Sequence, residues 1–241
     1  MANVHTAHPG GYLQCTTWLI EGPEGVMLVD PGCGYAEEQV IEGIRKAGHT
    51  LAEVAAALLT HCHVDHALGA HRFRQRGIRL VAAPRTAEIL RVGGRQVWYE
   101  YPEEVVPTEV DLTPADGEVL RLAGMEITVL HTPGHTDGCA SYLVETDEGL
   151  AAFTGDLVMG NGQPGWAGSE GFSVEATIAS LEKLLARAPA RAFTGHGAVP
   201  GSAEPWLRKA LELGRSGRWE LPRELHPQSP PPGKPPLMSA S

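Results

Sequence analysis

The segment His61-Cys62-His63-Val64-Asp65-His66 concentrates residue types that bind divalent metals. Neutral imidazole nitrogens and carboxylate oxygens suit zinc and other first-row divalent ions. Alternate residues of an extended segment project to one side, so His61 and His63 can share a metal. A turn after them would aim Asp65 and His66 at a neighbouring position. The segment therefore predicts one metal site and favours a second beside it.

Three more polar side chains follow predicted strands, and each has a glycine before it. A glycine beside a ligand lets the backbone approach a metal without a clash from Cβ. Cys62 lies between two of the candidate ligands, and strand alternation predicts that it points away from them into the interior. The three additional candidate ligands are His135, Asp156 and His196.

The elements that must position these residues alternate between strands and helices, which predicts a mixed α/β fold. Apolar spacing predicts helices over 36–47 and 174–186, the second with Ser173 as its N-cap. Thr50 and Glu53 have the spacing of a capping box. The strand-like runs that matter for the site cover 13–20, 26–29, 55–60, 127–130, 151–153 and 190–194.

A weak internal repeat relates two parts of the chain. The hairpin-like run 19–25 leads into an apolar strand ending at Asp30, and the run 143–149 leads into one ending at Asp156. A helical pattern and a strand that ends near a histidine follow in both cases. This pattern indicates two related halves whose polar strand ends converge, although short hairpins also resemble one another by chance.

Five motifs in this order resemble the metallo-β-lactamase superfamily, over residues 13 to about 200: Asp30-Pro31-Gly32, His61-x-His63-x-Asp65-His66, Gly134-His135, Gly155-Asp156 and Gly195-His196-Gly197. The resemblance implies an α/β fold, a four-layer αββα sandwich of two similar halves. It also implies two metals. The first would be held by His61, His63 and His135, and the second by Asp65, His66 and His196, with Asp156 bridging them and Asp30 fixing a ligand histidine by a hydrogen bond.

The implied activity is that of a dinuclear metal-dependent hydrolase that cleaves a small ester or thioester. Two divalent ions would lower the pKa of a bridging water, so that hydroxide is the nucleophile. Asp65 would be catalytic, because it can orient that nucleophile or carry a proton. Zinc is the first choice of metal, with iron and manganese as alternatives.

The resemblance is closer to the hydroxyacylglutathione hydrolase-like branch than to true β-lactamases, which lack a bridging carboxylate at the position of Asp156. Lactonases of the superfamily carry a tyrosine near the position of Met159, which disfavours that activity. A lactonase nevertheless stays among the alternatives. The others are a persulfide dioxygenase-like enzyme with one iron, an endoribonuclease or phosphodiesterase, and a noncatalytic metal-binding scaffold.

Two segments are expected to shape the substrate pocket, since specificity tends to reside in loops on a rigid scaffold. The first is the glycine-rich loop after Asp156, from which Met159 and Trp166 are the candidate substrate contacts. The second is the aromatic segment 96–102, with Trp98 and Tyr99 as candidates. A lid, a homodimer contact and ordinary loop packing are all consistent with that segment.

Composition limits the remaining choices. The 241 residues are 42% hydrophobic, enough for one sizeable core, and the net charge of -10 disfavours nucleic acid as a partner. Seven arginines between positions 72 and 95 have only Glu88 as a nearby acidic residue in sequence; a solvated surface is the favoured interpretation, followed by steering of an anionic substrate and by RNA binding.

Apolar runs are too short to span a membrane, and four scattered cysteines suggest no disulfide framework. We therefore expect a cytoplasmic protein that acts on a small-molecule substrate. The composition changes near residue 220, where a proline-rich stretch begins. This change predicts one domain over 1–219 and a flexible tail over 220–241.

Overall fold

A computed structural model describes residues 2–11, 14–93 and 105–221 of the chain. Two sequence predictions lie outside these ranges. They are the aromatic segment 96–102, including Trp98 and Tyr99, and the part of the predicted tail that follows residue 221.

The first sheet has five strands in the order in which they occur along the chain. Its first three strands are antiparallel, and the third, fourth and fifth are parallel. The parallel crossovers use helices, as parallel pairs require. The strands are β1 (Asn3–His8), β2 (Thr17–Gly22), β3 (Gly25–Val29), β4 (Val54–Leu59) and β5 (Arg79–Ala82); the helices are α1 (Glu37–Lys46), α2 (Val64–Ala67), α3 (Ala70–Gln75) and α4 (Pro84–Val92).

The second sheet has six strands, ordered from the last strand to the first. Neighbours are antiparallel except for the fourth and fifth strands in chain order, which are parallel and joined through a helix. The strands are β6 (Val119–Leu122), β7 (Met125–His131), β8 (Ala140–Thr146), β9 (Gly149–Gly155), β10 (Arg191–Thr194) and β11 (Gly197–Ala198); the helices are α5 (Val174–Ala186) and α6 (Ala203–Arg215).

The two halves repeat one unit, as the internal repeat predicts. In the first half the hairpin β2–β3 leads through α1 to β4, which is parallel to β3. In the second half the hairpin β8–β9 leads through α5 to β10, which is parallel to β9. The carboxyl ends of β3 and β9 carry Asp30 and Asp156, and those of β4 and β10 lead to His61 and His196.

The sheets pack face to face, with helices on both outer faces, so the predicted αββα sandwich is confirmed. Strand alternation divides the core into layers. Met27 and Tyr142 belong to the cluster between the sheets, whereas Leu28 contacts the outer layer of the first half and Leu143 that of the second. The hydroxyl of Tyr142 donates to the carbonyl of Leu59 at 2.8 Å, which joins the two sheets.

Several boundaries differ from the sequence predictions. The strand predicted over 13–20 begins only at Thr17, because the backbone of Cys15 and Thr16 instead donates to the carbonyls of Asp65 and Gly195. The turn predicted at Asp65 and His66 is the short helix α2. Helix α5 covers 174–186 as predicted, and Ser173 caps it by accepting from the amide of Ala176 at 3.1 Å. No helix among the described residues is both long and apolar enough to cross a membrane.

Candidate metal centre

Three histidines converge at one point between the two halves. His61 follows β4, His63 is the N-cap of α2, and His135 lies in the loop after β7. The Nδ1 atom of His63 lies 3.1 Å from Nε2 of His61 and 2.9 Å from Nε2 of His135. All three residues are buried. Two come from the first half and one from the second, so this first cluster assembles only when the sheets pack.

A second cluster lies beside the first and also combines both halves. It consists of Asp65 and His66 from α2, Asp156 after β9 and His196 after β10. The Nε2 atoms of His66 and His196 are each 3.3 Å from an oxygen of Asp65. His66 and Asp156 are buried, whereas the side chain of His196 is 36% exposed. The second cluster therefore lies on the side of the centre that faces solvent.

Asp156 lies between the two clusters. Its Oδ1 is 3.3 Å from Nε2 of His66, and its Oδ2 is 3.3 Å from Nε2 of His196. The same Oδ2 is 3.9 Å from Nε2 of His135 in the first cluster. The two oxygens of Asp156 thus face histidines of both clusters.

The histidines of the two clusters differ in pKa and therefore in charge near pH 7. Burial lowers the pKa of His61 and His63 well below the usual value and that of His135 to about 4, so these rings are neutral near pH 7. In the second cluster burial alone would also lower the pKa of the two histidines, but nearby aspartates outweigh this effect. The two aspartates raise the pKa of His66 and bring that of His196 to about 10. The first cluster thus offers neutral imidazoles, and the second pairs carboxylates with protons that a cation can replace.

The donor set fits divalent cations. Neutral histidine and carboxylate are preferred zinc ligands, and tetrahedral Zn–N bonds place ligand nitrogens about 3.3 Å apart, close to the spacing in the first cluster. In the second cluster, Nε2 of His66 and Oδ1 of Asp156 are buried and face each other at 3.3 Å, but neither makes a well-aligned hydrogen bond. Buried polar atoms of that kind are costly unless something binds them. A cluster of three histidines and a cluster of two histidines and two aspartates thus form a candidate divalent metal centre at one end of the sheets.

Glycines permit the close approach of backbone to these side chains, as the sequence predicts. A Cβ atom on Gly195 would overlap Oδ1 of Asp156 and Cε1 of His66. A Cβ atom on Gly165 would lie 2.7 Å from Nδ1 of His135. Gly195 is recognisable from the sequence because it directly precedes the candidate ligand His196. Gly165 is ten residues from the nearest motif glycine, so no local pattern indicates it.

Asp30 makes a hydrogen bond with one of the candidate ligand histidines. Its Oδ2 accepts from Nδ1 of His66 at 2.8 Å, and both side chains are buried. The contact leaves Nε2 of His66 facing Asp65 and Asp156. Asp30 also accepts from Thr60, a residue that the sequence analysis does not select although it directly precedes His61.

The predicted pocket residues have different surroundings. Trp166 is partly buried, with its ring 6.4 Å from that of His63, so it borders the first cluster. The backbone of Met159 contacts helix α6 instead, because its carbonyl accepts a hydrogen bond from Nε1 of Trp206 at 2.9 Å. The carbonyl of Gly162 accepts from Nε1 of Trp219 at 3.1 Å. One end of the glycine-rich loop therefore packs on α6, and the other reaches the centre.

Most of the arginines singled out in the sequence have acidic partners that are distant along the chain, which corrects the impression that only Glu88 faces them. Arg76 pairs with Glu37 at 2.6 Å, and Arg74 with Asp111 at 2.9 Å. Arg85 pairs with Asp137 as well as Glu88, each at 2.8 Å. These contacts agree with the interpretation of the stretch as a solvated surface.

Cys62 is fully buried in the outer core of the first half, as alternation predicts. Burial raises the pKa of its thiol far above the usual value, which disfavours the thiolate. Sulfur therefore takes no part in the two clusters.

Comparisons with known proteins agree with this geometry. The family model of the metallo-beta-lactamase superfamily matches residues 10–196. An atrochrysone carboxyl ACP thioesterase from Aspergillus fumigatus is 29% identical over 187 residues, which cover 77% of this chain and 51% of that protein. A hydroxyacylglutathione hydrolase from Rhodopseudomonas palustris is 30% identical over 145 residues, which cover 57% of this chain and 49% of that protein.

The chain thus spans about half the length of these relatives. Among solved structures, the metallo-β-lactamase SMB-1 superposes with a TM-score of 0.70 at 22% identity, covering 90% of this chain and 91% of that one. At this identity the likeness establishes the fold. Together with the family model, which spans most of the sequence and every candidate ligand, it shows that the chain belongs to the metallo-β-lactamase superfamily.

Proposed function

We propose that the protein is a dinuclear metal-dependent hydrolase of a small acyl thioester or ester, with zinc as the first choice of metal. The observation that carries the proposal is the position of Asp156, whose two oxygens face histidines of both clusters at 3.3 to 3.9 Å. A carboxylate between two histidine-rich clusters neutralises charge where two cations would otherwise repel each other. His61, His63 and His135 would hold one ion, and Asp65, His66 and His196 the other.

Two bound cations would polarise a substrate carbonyl and lower the pKa of water towards neutrality. The residues of the chain contribute binding, orientation and proton transfer. Asp65 is 17% exposed at the open side, where its Oδ2 lies 3.3 Å from Nε2 of His196. A carboxylate there can orient a water or hold its proton at Oδ2. Trp166 supplies an apolar wall near His63, which suits the acyl part of a substrate.

The preference for a thioester or ester has two supports. One is the retained Asp156, which the resemblance associates with the hydroxyacylglutathione hydrolase-like branch. The other is the names of the relatives, one a thioesterase and one a hydroxyacylglutathione hydrolase. Since the chain spans only about half of each, the substrate is a proposal for this chain.

Metal analysis tests the centre. Purified protein should contain, or take up on titration, two equivalents of a transition metal. Protein that binds none would contradict the proposal. One equivalent of iron, together with oxygen consumption on a persulfide, would support the persulfide dioxygenase alternative instead.

A parallel assay tests the substrate class. Metal-loaded protein is given an acyl thioester, a simple ester, an acyl lactone, a β-lactam and a phosphodiester. We expect the thioester or ester to have the highest kcat/KM. A tenfold preference for the phosphodiester, about 1.4 kcal/mol of transition-state discrimination, would refute the assignment. No turnover of any compound at full metal occupancy would favour a noncatalytic scaffold.

A further inference from the structure

The contacts of Asp30 extend beyond the one histidine predicted for it. Its Oδ1 accepts from the amide of Thr60 at 2.7 Å, and its Oδ2 accepts from the Thr60 hydroxyl at 2.6 Å and from Nδ1 of His66 at 2.8 Å. The three side chains are buried. An ionised carboxylate only accepts, so the threonine hydroxyl and the histidine must both donate.

The same hydroxyl lies 3.0 Å from Nδ1 of His61. A hydroxyl can donate only one hydrogen bond, and here it donates to Asp30. The hydroxyl oxygen is then the acceptor, and His61 must carry its proton on Nδ1. Its Nε2, which faces the first cluster, is left with a free lone pair.

We propose that Thr60 is a positioning residue through which Asp30 fixes the tautomer of His61, so that one carboxylate orients a ligand in each cluster. The contact with His66 is direct, and the contact with His61 passes through the threonine hydroxyl. Loss of that hydroxyl should therefore weaken the first cluster alone, whereas loss of the Asp30 charge should weaken both. This inference rests on the proposed metal centre, which the metal content of the wild-type protein tests separately.

The clusters are examined one at a time in full-length protein. In a His196→Ala background the second cluster lacks a ligand, and in a His135→Ala background the first does. Zinc affinity is measured by chelator competition in each. Changes to groups that orient a ligand typically cost 10- to 100-fold in metal affinity. We expect Thr60→Val to cost at least tenfold in the first background and less than twofold in the second.

Asp30→Asn should lower the zinc affinity in both backgrounds. Thr60→Ser should keep the affinity that Thr60→Val loses, because serine retains the hydroxyl. Thr17→Val is the matched control, since Thr17 is equally buried but its hydroxyl has no hydrogen-bond partner. An equal loss from Thr60→Val in both backgrounds would indicate a merely structural role and overturn the proposal, as would no loss in either.

A second measurement needs no substitution. Nitrogen NMR of the zinc-loaded wild-type protein reports which ring nitrogen of His61 carries the proton. We expect Nδ1 to carry it. A proton on Nε2 would overturn the proposal even if the Thr60 variants do not fold.

Discussion

The absence of a single Cβ atom at Gly195 allows Asp156 and His66 to come close to each other. Backbone at Gly195 lies so close to Asp156 and His66 that no side-chain carbon fits there. The seven candidate ligands can therefore take these positions only if certain neighbours remain small.

We predict that Gly195→Ala lowers metal content from two equivalents to one or fewer, because the added methyl group displaces Asp156 or His66. Metal analysis after dialysis measures this. Gly160→Ala is the control, because a Cβ atom there meets nothing within 4 Å. Full metal content in the Gly195 variant would show that the backbone relaxes without cost to the centre.

At Asp65 we predict that replacement by Asn lowers kcat about a hundredfold or more, with little change in the free energy of unfolding, since proton transfer by a positioned group contributes on that scale. The comparison needs matched metal occupancy. Turnover equal to that of the wild-type protein would contradict the role given to Asp65.

The sequence is informative about candidate ligands because few residue types bind metals. The motif from His61 to His66 places four such residues close together. It is less informative about Thr60 and Gly165, whose roles depend on contacts between distant segments. A threonine hydroxyl can have many hydrogen-bond partners, and only the fold shows that this one donates to Asp30. For the same reason Trp166 could be proposed from the sequence, but its position beside His63 could not.

Among the elements, strand β4 is predictable because it is a continuous apolar run, of which all residues but Ala55 are buried. Strand β1 and helices α2 to α4 were not predicted; α2 is only four residues long. At the edge beyond β5, the segment with Asp111 and Leu112 lies beside the strand, and Leu112 forms a parallel bridge with Val81. Oδ2 of Asp111 accepts from the amide of Leu80 at 2.9 Å, and Arg74 binds the same carboxylate.

We predict that Asp111→Asn lowers the free energy of unfolding by about 1 kcal/mol at pH 7, because the amide oxygen can still accept from Leu80 but the negative charge that strengthens this bond and the contact with Arg74 is lost. Burial of Asp111 would raise its pKa, but the Leu80 amide and Arg74 hold it below the usual value. The unfolded pKa is near 3.9, so the contribution is present above about pH 4 and is lost as pH falls towards the folded pKa. Denaturant titrations at pH 7 and pH 3 measure it, with exposed Glu109→Gln as control. A pH-independent difference would exclude this explanation.

Helix α6 and the segment after it hold the loop that follows Asp156. We predict that Trp219→Phe speeds hydrogen exchange at the amides of Met159 and Gly162, because the carbonyl of Gly162 loses its indole donor. Metal content should not change, since Trp219 donates to Gly162 and not to a candidate ligand of either cluster. Unaltered exchange would show that packing alone orders this segment.

For the whole molecule, the arrangement of ligands joins the halves. Each cluster takes ligands from both sheets, so a bound cation favours the packed state over any state in which the halves separate. Ligands that bind only the folded state stabilise it by mass action, about 4 kcal/mol at a thousandfold excess over Kd.

We therefore predict that chelation lowers Tm by roughly 10 °C, given 2 to 4 °C per kcal/mol for a protein of this size. Differential scanning calorimetry before and after metal is restored checks reversibility. Asp156→Ala should show a smaller shift, because it binds less metal. A Tm that does not respond to chelation would mean that packing of the halves is independent of the centre.

The distribution of ligands along the chain also bears on when a growing polypeptide can acquire metal. Four ligands are synthesised by residue 66, but the first cluster is complete only with His135 and the second only with His196. A nascent chain on the ribosome therefore exposes an unfinished histidine-rich segment for most of its synthesis. If the centre binds two ions as proposed, the first cluster is complete only once His135 has emerged and the second only once β10 and His196 have emerged, so the second cluster would load last.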